Sequence, residues 1–83
     1  MLLAVDVGNT QTVFGLFRDG DLGDTRRLAT EAERTGDELG VLLSGLIDLE
    51  DVEGICLSSS VPAVARSFED FASRWVSAPI LVV

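Results

Sequence analysis

The stretch "MLLAVDVGNTQTVFGLF", residues 1–17, decides the fold. Residues 2–7 (LLAVDV) form an apolar run that reads as a central strand, and residues 12–18 (TVFGLFR) read as a second strand. Asp6, Gly8, Asn9 and Thr10 interrupt the apolar pattern between them. The interruption has two readings. One is a plain hairpin turn, since Gly-Asn between two strands is an ordinary turn signal. The other is a phosphate site. A tight turn can point several backbone N–H groups into one concavity, and Gly8 and Asn9 are residue types that accept a positive φ there. The Thr10 or Thr12 hydroxyl would then add a donor. Asp6 would repel a phosphate unless a cation, or water around one, lay between them, which is how Mg²⁺ accompanies a nucleotide. A carboxylate buried unpaired in an apolar strand is costly, so Asp6 is expected to have a ligand, a cation or a polar cleft.

Outward from this stretch, Asp19-Gly20 is a hairpin signal of the kind that needs positive φ. Residues 22–30 (LGDTRRLAT) read as a third, more polar strand, which completes an antiparallel meander. Thr35 and Glu38 form a T-x-x-E capping box. Leu39, Leu42, Leu43, Leu46 and Ile47 then recur at helical spacing. Gly40 and Gly45 weaken that helix and are tolerable where it lies close against the sheet. The acidic connection DLEDVEG, residues 48–54, reads as a solvated loop without a special role.

Residues 54–58 (GICLS) read as a fourth strand. The polar step at Ser58, Ser59 and Ser60 follows and reads as a strand end and helix cap, with Pro62 suited to a first helical turn. Val61, Val64, Ala65, Phe68, Phe71 or Ala72, and Trp75 keep the helical period, so the aromatic residues are expected in the core. Ser77-Ala78-Pro79 breaks the helix, and PILVV begins a fifth strand. The order is β-β-β-α-β-α-β in a mixed sheet, with the helix-separated strands parallel to the first. The chain stops within an apolar run typical of a buried strand, so it is expected to be the amino-terminal part of something longer.

Composition narrows the chemistry. The 83 residues carry a net charge of −8, contain no lysine and no histidine, and include six arginines and one cysteine. An acidic chain of this kind is a poor partner for nucleic acid or an anionic membrane. The lack of lysine excludes a Walker A loop, and the lack of histidine excludes a Ser-His-Asp triad and histidine-ligated zinc. Cys56 has no partner for an internal disulfide and reads as a small buried hydrophobe. No apolar run approaches the ~20 residues of a membrane span, and no signal peptide is visible, so a cytoplasmic protein is expected.

Three segments carry a family resemblance. DVGNTQTVFGLF, from Asp6, resembles the first phosphate motif of the type III pantothenate kinases, members of the acetate and sugar kinase, Hsp70 and actin superfamily. RRLATEAERTGDELGVLL is similar to that family's strand-then-helix segment, and ICLSSSVPAV to its Ser-Ser-Val-(Val)-Pro step. PILVV matches the strand that follows. The resemblance implies an α/β, ribonuclease H-like (actin-like ATPase) partial domain. It also implies transfer of the γ-phosphoryl group of ATP to pantothenate, the first step of coenzyme A biosynthesis. Mg²⁺, a monovalent cation (K⁺ or NH₄⁺) and a cytoplasmic homodimer go with it. On this basis Asp6, Val7, Gly8, Asn9, Thr10, Gln11, Thr12 and Val13 contact ATP, with Asp6 helping to hold the metal-nucleotide complex. Gln11 stands where asparagine is common in the family, and Gly36 where alanine is common. The family's catalytic aspartate, in a Gly-x-Asp-Arg motif, its second phosphate motif and its cation ligand have no counterpart in these residues, so the chain alone is expected to be inactive. Bvg accessory factor-like regulatory proteins share these motifs and are the alternative reading. A free-standing β/α module in which DVGNT is only a turn is another.

Overall fold

A computed structural model describes residues 1–83. Strands β1 (Leu2–Val7), β2 (Gln11–Arg18) and β3 (Asp21–Ala29) form the antiparallel meander. Helix α1 (Gly36–Ser44) leads to β4 (Gly54–Ser59), and α2 (Pro62–Phe71) leads to β5 (Ile80–Val82). The sheet order is β3-β2-β1-β4-β5, with β4 parallel to β1 and β5 parallel to β4. The expected order and strand directions therefore hold, and β1 sits at the centre. The β2–β3 turn takes positive φ at Asp19 (53°) and Gly20 (83°), as its sequence requires.

Strand periodicity sorts the two faces of the sheet. Met1, just ahead of the first strand, and Leu3, Val5 and Val7 within it join Phe14, Ile55 and Leu57 in one buried cluster. Leu39 and Leu43 of α1 and Val64, Phe68 and Phe71 of α2 complete it. Phe68 links the layers, with ring centroids 6.0 Å from Phe14 and 6.1 Å from Phe71. Both helices thus cover the same face. The other face presents Leu2, Ala4 and Asp6 beside Val13 and Phe17 of β2 and Cys56 and Ser58 of β4. There Phe17 and Leu22 fold over Gly15, where a Cβ would lie 3.2 Å and 3.3 Å from them. Cys56 is accordingly half-buried on the open face and not a core residue.

The capping box at Thr35 and Glu38 is formed in both directions, each bond 3.1 Å long. Three further expectations are corrected. The first concerns Trp75. The helical register changes after Phe71 into a π-helical turn, Ala72–Val76, which carries the indole out of the core. Trp75 is 38% exposed, and its Nε1–H donates to Asp37 Oδ1 at 3.0 Å. The second concerns the glycines of α1. Gly40 admits the Trp75 ring, which a Cβ would meet at 2.1 Å, and Gly45 is the C-cap; neither serves a close approach to the sheet. Gly36 passes α2 so closely that a Cβ would lie 2.5 Å from Asp70 Oδ2 and 3.0 Å from the Phe71 nitrogen.

The third correction concerns the acidic connection. It contains a single 3₁₀ turn, Leu49–Asp51, and then the buried Val52. Asp51 pairs with Arg18 at the end of β2. The Met1 ammonium donates to Asp51 O at 2.8 Å and to Glu53 Oε1 at 2.5 Å. These contacts fasten the start of β1 to the start of β4, a role that local sequence does not reveal. Arg18 donates to the Asp51 carboxylate and holds its pKa below the usual value, with the guanidinium charge adding to the effect and desolvation opposing it. No helix is long and apolar enough to cross a membrane.

Candidate phosphate-binding turn

The candidate site is the carboxyl end of β1. This strand has an antiparallel neighbour on one side and a parallel neighbour on the other. A hairpin turn and a strand-to-helix junction therefore open at the same place, at the carboxyl end of β1, the end at which open α/β sheets bind ligands.

The Gly8 N–H donates to Gln11 O at 2.9 Å and closes the turn around Asn9 and Thr10. A Cβ on Gly8 would meet that same oxygen at 3.1 Å, so the residue serves a close approach. Its φ is not positive, and neither is that of Asn9, so the anticipated left-handed nest is not what the turn builds. Free donors arise another way. The Asn9 and Thr10 N–H groups make no hydrogen bond within the chain, and both residues are exposed. Thr10 O accepts from Thr30 N–H at 2.9 Å, which anchors the turn to the far end of β3.

The eight candidate residues divide. Asp6, Gly8, Asn9 and Thr10 gather at the turn. Asp6 is exposed on the open face, so the anticipated penalty for burying it does not arise. Val7 points into the core at 2% exposure and offers the site only its backbone. Val13 is half-buried as the register partner of Asp6. Gln11 accepts from Arg27 Nη1 at 3.1 Å. Thr12 points to the helical face, where it is 4% exposed and its hydroxyl lies 2.9 Å from that of Thr30. Its hydroxyl is paired with that of Thr30 and is not presented at the turn, where it was expected to add a donor.

Ser60 was not anticipated here. Reading it as a cap missed its partners: its N–H and its hydroxyl each lie 3.3 Å from Val7 O, and the hydroxyl lies 3.5 Å from Asn9 Oδ1. Parallel pairing of β4 with β1 is the signal that brings it there. The N-cap of α2 is Val61, which has no side chain to cap with. The Asp6 carboxylate stands alone, with no cluster of three or more candidate metal ligands around it. That donor set fits Mg²⁺, which is commonly held by one or two carboxylates together with phosphate oxygens and water.

A five-stranded mixed sheet with this order, helices between its parallel strands and a polar turn at the end of β1, is a ribonuclease H-like α/β fold. YeaZ from Pseudomonas aeruginosa has the same fold, with a TM-score of 0.58 at 20% identity over 99% of this chain and 42% of that one. The type III pantothenate kinase family model matches residues 2–83, and the chain belongs to that family. The type III pantothenate kinase of Acidothermus cellulolyticus is 44% identical over 88 aligned positions, covering all of this chain and 34% of the relative. That of Streptomyces avermitilis is 40% identical over 84 positions, covering 90% of this chain and 32% of the relative. The chain thus spans about a third of the length of these curated relatives.

Proposed function

We propose that this chain forms one wall of the ATP-phosphate site of a type III pantothenate kinase, which phosphorylates pantothenate on its hydroxyl at the start of coenzyme A biosynthesis. The observation that carries the reading is the juxtaposition of an exposed, unpaired carboxylate, Asp6, with two unpartnered backbone N–H groups, Asn9 and Thr10, at the end of a central strand. The N–H groups supply hydrogen bonds for phosphate oxygens. Asp6 would supply negative charge to a divalent cation accompanying the phosphates. Mg²⁺, when bound, would neutralise charge on the transferring phosphoryl group. The residues of this chain then act by positioning and electrostatics. The reading carries with it a monovalent cation (K⁺ or NH₄⁺), a homodimer and a cytoplasmic location, all following from the family.

The proposed wall is one part of a domain, and the base that accepts the pantothenate hydroxyl proton has no candidate among these residues. The 83-residue chain is therefore expected to bind Mg-ATP without phosphorylating pantothenate. Titration with Mg-ATP, followed by ¹H–¹⁵N NMR, tests this. Shifts concentrated at Gly8, Asn9 and Thr10 support the proposal, and a turn that stays unperturbed at millimolar Mg-ATP counts against it. Turnover of pantothenate by the isolated chain would refute the division of labour.

A further inference from the structure

Two adjacent serines behave differently at the β4–α2 junction. Ser59 works locally: its hydroxyl accepts from Val61 N–H at 3.0 Å and donates to Val61 O at 2.9 Å. Ser60 has no partner on α2. Its hydroxyl faces Val7 O at 3.3 Å and Asn9 Oδ1 at 3.5 Å, more than fifty residues away in sequence, in a shared three-centre arrangement. A side-chain amide has its acceptor and its two donors on opposite sides. Holding Oδ1 toward Ser60 therefore turns the Asn9 Nδ2 donors away from the junction. Neither donor has a partner within the chain, and they lie on the residue whose own backbone N–H is also free.

We infer that Ser60 is a positioning residue, which fixes the Asn9 amide so that its N–H₂ group faces an anionic phosphate oxygen at the turn. The inference rests on the phosphate reading above and adds to it the part played by the β4–α2 junction. Ser60 does not touch the phosphate. It acts through Asn9, and through Val7 O it ties the hairpin turn to the start of α2.

The test compares the wild-type chain with Ser60→Ala and Ser60→Thr. The first readout is the order parameter of the Asn9 side-chain amide, measured without ligand. The second is affinity for Mg-ATP, and thermal melting monitors the fold. Ser60→Ala is expected to lower the Asn9 order parameter and to weaken Mg-ATP binding by about three- to tenfold, the range for one neutral hydrogen bond. Ser60→Thr, which keeps the hydroxyl, is expected to restore both. A purely structural role would change the melting temperature without this rescue pattern. An Asn9 amide equally ordered in wild type and Ser60→Ala overturns the inference. A wild-type turn that ignores Mg-ATP, while Asn9 order still depends on Ser60, refutes the phosphate reading and leaves the Ser60–Asn9 coupling standing.

Discussion

Asp6 and Ser58 are register partners on parallel strands β1 and β4, and both are exposed on the face of the sheet that the helices leave open. The carboxylate therefore has a polar neighbour and free access to solvent, with no ion pair of its own. Asp6→Asn is expected to change stability by no more than about 0.5 kcal/mol, as for other exposed side chains without partners. It is expected to abolish the Mg²⁺ dependence of ATP binding. Titrations with ATP in the presence of Mg²⁺ and of EDTA, run on both proteins, check this. A variant that keeps the full Mg²⁺ effect would remove Asp6 from the site.

Trp75 lies across Gly40, and the contact leaves no room for a side chain on α1 at that position. Gly40→Ala improves helix propensity by up to about 1 kcal/mol. It must also push the indole away and break its hydrogen bond to Asp37. The two effects oppose each other in stability but not in spectroscopy. A red shift of the emission of Trp75, the single tryptophan, is expected, with only a small change in melting temperature. Unchanged emission would show that the ring does not rest on Gly40.

Phe68 stands between Phe14 on the sheet and Phe71 on its own helix, and is 1% exposed. Phe68→Ala is expected to cost about 3–5 kcal/mol through lost burial and the cavity left behind. Small domains have only about 5–15 kcal/mol in total, so the urea midpoint of this variant should fall far below that of the wild type. Urea titration against the wild type measures the difference.

The Asp51 pair gives a pH dependence with a definite sign. The Arg18 hydrogen bond lowers the carboxyl pKa below its ordinary 3.8, with the guanidinium charge assisting and desolvation opposing. A group depressed in the folded state stabilises the fold above its unfolded pKa, and that contribution is lost as pH falls through the folded value. Asp24 behaves in the same sense, held down first by the Thr25 N–H and then by Arg26. Asp51→Asn should thus lower the melting temperature near neutrality, with the gap from wild type closing as the pH falls below about 4. A gap that is constant down to about pH 2 would contradict the pairing.

The strands and their order were legible because local chemistry announces them: alternating apolar residues, Asp19-Gly20 at one turn, the Thr35–Glu38 box, and Pro62 in a first helical turn. Thr12, expected as a donor at the turn, falls on the core side of the sheet, and the strand pattern carries that signal. Thr12 stands two residues from the core residue Phe14, and strand residues two apart share a face. Trp75 was misplaced because the spacing was projected along an ideal helix, whereas the chain inserts a π-helical turn at Ala72. The roles of Asp51, Glu53 and Ser60 were not legible locally, since their partners Arg18, Met1 and Asn9 lie 33 to 52 residues away. At the turn, the structure gathers Asp6, Gly8, Asn9 and Thr10 as the sequence reading expected, but with a different backbone geometry. Gly8 serves a close approach to Gln11 O, where a Cβ would lie crowded at 3.1 Å, and not a left-handed backbone.

The two margins of the sheet are chemically unlike. On β3, Asp21, Asp24, Arg26 and Arg27 place charges of both signs along the outermost strand, and such charges discourage an incoming strand. On β5, Ile80, Leu81 and Val82 carry none. The sheet is therefore chemically directional: charge guards the β3 margin against edge pairing, and no charge guards the β5 margin. Leu81→Lys or Val82→Lys would give the β5 margin the charge it lacks while leaving the β1 turn untouched.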